Sequence, residues 1–162
     1  MATPFMKGFA LKLVAEAATR LGLDVFVVDV DRDYKVQMAL YAQGRQPLDE
    51  VNLLRKVAGL GPIKEEQNER VVTWTMASKH IIRLDDTDPH NDQSRAVDFG
   101  IRDPSGKYVG DVKADVNYDN EPDYIQLALL AEEIGGGRIK AGARFKNKKG
   151  EPCPDYPHFE EA

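Results

Sequence analysis

One cysteine, three histidines and one tryptophan in 162 residues leave few ways to build a chemical site. Cys153 stands alone, so neither a disulfide within the chain nor a cysteine-built zinc site is open to it. Any metal must be held by His, Asp and Glu. Positive charge is also scarce: 22 Lys and Arg stand against 27 Asp and Glu, a formal charge of −5. Proteins that grip a phosphate backbone carry a clustered basic excess, so nucleic acid is not an expected partner. Long apolar runs are missing too. The stretch MATPFMKGFALKLVAEAATRLGLDV is broken by Lys12, Glu16 and Arg20, and it reads as an amphipathic helix rather than a leader or a membrane span. Synthesis in the cytoplasm, no membrane partner and a monomeric state are the expectations. No internal repeat, low-complexity tract or linker divides residues 1–162, and 42% hydrophobic residues suffice for one core.

What is present is a mixture of helical and strand signals. Leu11, Val14, Ala15, Ala18 and Leu21 recur at helical spacing before Gly22, predicting a first helix with that face on the core. DVFVVDV (24–30) reads as a buried strand. From Asp31 to Gly44 a helix is expected, with Asp31 as cap and Tyr34, Met38 and Tyr41 on one face, followed by a second helix over 48–58. RVVTWTM (70–76) and RAVDFGI (95–101) look like strands, with Trp74 in the core and Asp98 opposite Val97 and Phe99. DPSGK (103–107) is a turn. A last helix over 122–134 buries Tyr124, Leu127, Ala128, Ala131 and Ile134 and stops at a Gly triplet. The expected class is α+β, with a small, mostly antiparallel sheet flanked by helices.

The histidines are His80, His90 and His158. A hydrolytic zinc site uses three protein ligands of the His, Asp or Glu type and one open position, plus a nearby group that moves protons. His80, Asp98 and His158 could supply the ligands, with Asp155 as the proton-moving group. Spacing alone leaves the alternative open, because isolated His and Asp residues on turns are commonly solvated surface groups.

The ordered motifs SKH, SRAVDFGI and DYPHFE resemble the zinc peptidases of the D-alanyl-D-alanine carboxypeptidase and L-alanyl-D-glutamate endopeptidase family, which includes phage endolysins and shares its fold with the Hedgehog signalling domain. The resemblance implies a zinc ion held by His80, Asp98 and His158, with Asp155 as general base and then general acid. Ser78 stands in the Ser-x-His motif, Ser94 and Ala96 in the small-x-Ala-x-Asp motif, and Phe159 and Glu160 follow the last ligand. Upstream, Arg32, Gln37 and LYAQGR with Arg45 match a further family pattern. It implies that Arg32 steadies an oxyanion, while Ser78, Gln37, Arg45 and Glu160 bind substrate or support the site. The implied substrate is the stem peptide of bacterial peptidoglycan, cut at L-alanyl-D-glutamate. A D,D-carboxypeptidase or dipeptidase, or a zinc-containing wall-binding module without turnover, are the alternatives. If the chain is phage-encoded, it would reach the wall after a holin opens the membrane.

Two departures stand out. Seventeen residues separate His80 from Asp98, where most relatives have only a few. They include an acidic insertion at 83–93, RLDDTDPHNDQ. Within it His90 competes as first ligand, though no Ser-x-His surrounds it, and the acids at 85–92 resemble half of a calcium loop without its glycine or closing glutamate. The tryptophan common in relatives before the last motif is also replaced, by RIKAGARF.

Overall fold

The computed structural model describes residues 1–83, 92–147 and 149–162. In chain order these form α1 (Pro4–Glu16), a π-turn (Ala17–Leu21), β1 (Asp24–Asp29), β2 (Arg32–Asp33), α2 (Tyr34–Ala42), α3 (Leu48–Val57), α4 (Glu65–Asn68) and β3 (Ile81–Ile82). They continue with β4 (Ala96–Arg102), β5 (Tyr108–Val109), α5 (Asp123–Gly135), β6 (Ile139–Ala141), a 3₁₀ turn (Gly142–Arg144) and β7 (His158–Glu161). The chain forms two compact units, one of Met1 and Asp31–Ser94, the other of Ala2–Val30 and Arg95–Ala162. The class is α+β, and among the described residues no helix is long and apolar enough to cross a membrane.

The second unit is built on an antiparallel sheet in the order β1-β4-β7-β6, with β5 paired to the C-terminal end of β4. Strand β4 is central, paired on one side with β1 and on the other with β7, and Val97, Phe99 and Ile101 are buried on one of its faces. Phe99 meets Phe159 edge-on at 5.6 Å, and both rings contact Phe9 of α1 at 6.4 Å. Helix α5 covers the same core with Tyr124, Leu127, Ala128 and Ala131, as its spacing predicts, and closes at Gly136 in the left-handed conformation, φ 57°. The buried face of α1 differs from expectation. Thr3 caps the helix and Pro4 opens it, so Met6, Phe9, Leu13 and Ala17 point inward while Leu11 is 76% exposed. The stripe is the neighbouring one on the helical wheel. Strand β1 is half-exposed rather than buried, with Val25 inside and Val27 and Val28 outside.

The first unit has a small apolar cluster of Ala42, Val51 and Ile63, supported by Leu48 and Leu54. Side-chain amides supply much of its order. Asn52 holds Ile63 through both backbone groups at 2.8 and 3.0 Å, and Asn68 donates to Gln46 O at 3.0 Å while accepting from Gly44 N–H at 3.3 Å. Helix α3 spans the expected residues; α2 is capped by Asp33 rather than Asp31 and buries Gln37, Ala39 and Ala42 instead of its tyrosines. No strand forms over 70–76, and Trp74 is 76% exposed. β-branched residues favour a strand only where a partner strand is available. Here the carbonyls of Thr73 and Thr75 are taken instead by the side chains of Arg45 and Gln37.

Candidate metal centre

Alternation on two paired strands creates the centre. In the β4–β7 ladder Asp98 lies directly opposite His158, and Val97 opposite Phe159. Because successive side chains in a strand point to opposite faces, Phe159 enters the core while His158 and Glu160 share the other face with Asp98. His158 Nδ1 lies 2.9 Å from Asp98 Oδ1, and Nε2 lies 3.2 Å from Glu160 Oε2. The Phe145 ring stands 5.4 Å from the imidazole.

Asp155 precedes this strand in a tight bend. Its carbonyl accepts the His158 N–H at 3.1 Å, and its own N–H donates to Gly142 O at 3.0 Å. The bend needs a glycine opposite it: a Cβ on Gly142 would lie 2.1 Å from the Asp155 carbonyl oxygen and 3.0 Å from that of His158. Both atoms are backbone and cannot swing aside. Gly142→Ala is therefore expected to lower the melting temperature by several degrees and to displace the Asp155–His158 bend. Thermal denaturation, with zinc affinity measured on the same sample, checks this; an unchanged melting temperature and affinity would show that the bend tolerates the side chain.

In the first unit the short parallel pair β2–β3 sets Arg32 opposite Ile81, and the Arg32 N–H donates to His80 O at 2.8 Å. His80 is 1% exposed, and its N–H donates to Ser78 Oγ at 3.3 Å. Ser94 Oγ donates to Lys79 O at 3.4 Å. The Arg32 guanidinium donates to Gln37 Oε1 at 2.9 Å. Gln37 is fully buried and donates to Thr73 Oγ1 and Thr75 O, at 3.1 and 2.6 Å. Arg45 donates to Tyr41 O and Thr73 O and lies over the Tyr41 ring. Gln37 and Arg45 thus anchor the unpaired 70–76 segment, a supporting task. Arg32 also lines a groove of about 540 Å³ with Tyr34, Lys35, Ile82 and Arg83.

Among the described residues, His80, Asp98 and His158 each offer one ligand atom, and these atoms all lie within 4.8 Å of one another. Two imidazoles and one carboxylate are a donor set suited to a divalent transition metal, zinc above all. No protein-family model matches the chain. Over 160 residues the chain is 26% identical to the peptidoglycan L-alanyl-D-glutamate endopeptidase CwlK of Bacillus subtilis (strain 168), covering 97% of this chain and 71% of that protein. His90, the competing ligand, and the acids at 85–91 lie outside the described residues.

Without a metal, His158 is held as a cation. Burial opposes its charge, but the hydrogen bonds its ring N–H groups donate to Asp98 and Glu160, with the nearby Asp98 and Asp155 charges, outweigh burial and raise its pKa from 6.5 to about 9. A raised histidine pKa stabilises the folded state fully below the unfolded value and loses that contribution as pH climbs through the folded one. Metal-stripped protein is therefore expected to lose a few kcal/mol between about pH 6.5 and pH 9. Chemical denaturation across that window checks it: His158→Gln, which cannot become a cation, should flatten the profile. Equal slopes for wild type and variant would assign the pH dependence to other groups.

Proposed function

We propose that this chain is a zinc-dependent peptidoglycan peptidase that hydrolyses the L-alanyl-D-glutamate bond of stem peptides. The observation that carries this reading is the convergence of His80, Asp98 and His158, three residues separated in sequence, on ligand atoms within 4.8 Å of one another. The likeness to an enzyme of that named activity over nearly the whole chain supports it. Zinc bound there supplies Lewis acidity toward the scissile carbonyl and a water activated at neutral pH.

The chain's own residues then take distinct tasks. His158 Nδ1, the nitrogen beside Asp98, would ligate, leaving Nε2–H to donate to Glu160. That outer carboxylate fixes the tautomer and the ring orientation, the usual support for a metal-bound imidazole. Ser78 holds the backbone that carries His80. Asp155, exposed and fixed by the Gly142 contact, takes a proton from the attacking water and passes it to the leaving amine. Arg32, braced by Gln37, steadies the developing oxyanion from the wall of its groove. If phage-encoded, the enzyme would act on the wall after a holin opens the membrane.

Mass spectrometry of purified peptidoglycan after digestion tests the bond. New amino termini at D-glutamate support the assignment. Release of terminal D-alanine instead would make the protein a D,D-carboxypeptidase, and zinc binding without any new peptide ends would make it a wall-binding module.

A further inference from the structure

A second constellation lies away from these residues, in the connection from β5 to α5. The stretch DVNYDNEPDYIQ, residues 115–126, places oxygen-bearing side chains at Asp115, Asn117, Asp119, Asp123 and Gln126, the first, third, fifth, ninth and twelfth positions of a twelve-residue loop. Those are the side-chain positions from which an EF-hand-type loop feeds calcium. Its sixth position, where such loops need a glycine for a sharp turn, is Asn120, which adopts the left-handed conformation at φ 70°. The exiting helix, α5, begins at the ninth position. The first residue is bonded to the loop behind it: Asp115 accepts the N–H groups of Asp119 and Asn120 at 3.0 and 2.9 Å.

An independent observation points to a ligand. Asp123 is 0% exposed, and its Oδ1 is the one buried side-chain atom among the described residues without a hydrogen-bond partner. The carboxylate is lodged under the start of the loop, since Oδ2 accepts the Val116 N–H at 2.8 Å and the Asp123 N–H donates to Ala114 O at 2.9 Å. Burial, with the Asp115 and Asp119 charges, raises the pKa of Asp123 despite the backbone N–H groups of Val116 and Asn117 that face the carboxylate. A buried oxygen without a hydrogen-bond donor, under the charge of two other carboxylates, calls for a cation. At present amide groups stand in for one: Asn117 Nδ2 and Gln126 Nε2 both donate to Asp119 Oδ2, at 3.0 and 2.7 Å. Half a turn of either amide presents its oxygen instead.

We infer that residues 115–126 form a calcium site, with Asp115, Asn117, Asp119 and Asp123 as side-chain ligands and Gln126 at the closing position. The three carboxylates do not yet have ligand atoms as close as those of the His80 group. The loop therefore contracts when the ion enters. A glutamine in place of the bidentate glutamate puts the affinity at the weak end of such loops, roughly 10⁻⁴ M or weaker. Because the site clasps the first turn of α5, calcium should stabilise the second unit through the helix that covers its core.

Calcium chloride titrated into the whole protein, followed by calorimetry and thermal denaturation, tests this. One site per chain and a melting temperature rising by several degrees are expected. Both should vanish in Asp119→Asn and Asp123→Asn, and both should persist in His80→Ala, which keeps this inference separate from the zinc proposal. Gln126→Glu guards against loop variants that fail to fold, because it should tighten calcium roughly tenfold. No binding up to about 10 mM calcium overturns the inference. So does calcium binding that survives both loop substitutions, which would place the ion elsewhere, the 85–92 acids included. Magnesium, which keeps its waters and demands octahedral geometry, should give a much smaller shift.

Discussion

His158→Ala should abolish stoichiometric zinc binding and, with it, all peptidoglycan cleavage. The substitution removes one of the three proposed ligands, and it also strips Asp98 and Glu160 of the imidazole to which both are bonded. Outer partners of metal-bound histidines are worth about 10–100-fold in metal affinity, so losing the ligand itself should exceed that range. Glu160→Gln supplies the graded comparison. It keeps a hydrogen-bond acceptor, an amide oxygen, but loses the charge, and should weaken zinc within that 10–100-fold range while leaving the fold intact. Metal content after dialysis, with competition titration for affinity, checks both. His80→Ala should match His158→Ala in metal loss although its neighbours differ. A His158→Ala protein that still carries one zinc per chain would remove His158 from the site, and with it the proposed centre.

The parts of this site that were legible in the sequence are those written as local periodicity. Asp98 and His158 sit on strands whose neighbours Val97, Phe99 and Phe159 must be buried, so period two alone turns the polar residues to one face. Helix α5 was equally plain from its spacing and its glycine stop. The misread elements depend on information the local pattern lacks. RVVTWTM has strand composition, but a strand is a pairing, and the carbonyls of Thr73 and Thr75 are claimed by Arg45 and Gln37. The face of α1 turned on its cap: Thr3 and Pro4 start the helix early enough for Met6 and Phe9 to lead the buried stripe. Gln37 reads in the sequence as a polar residue on a helix, and only the fold reveals it as the buried brace between Arg32 and the unpaired segment. The 115–126 loop was readable from its spacing.

Asp155→Ala is expected to separate chemistry from metal binding. Asp155 contacts His158 through its backbone carbonyl and Gly142 through its N–H, and alanine keeps both bonds. Zinc content and melting temperature should therefore stay close to wild type, the more so because the side chain is exposed. Turnover should fall by roughly 10²–10⁴-fold, the range for removing a positioned general acid–base group. Asp155→Asn should be as inactive as alanine, since the amide keeps the shape and polarity but cannot accept the proton; Asp155→Glu, with a carboxylate on a longer arm, should recover part of the rate. This ordering is what a supporting role would fail to give, because asparagine would then rescue better than alanine. Release of soluble stem peptides from purified peptidoglycan, measured at fixed zinc occupancy, decides between them. A fully active Asp155→Ala enzyme would move the proton transfer to another residue while leaving the zinc centre in place.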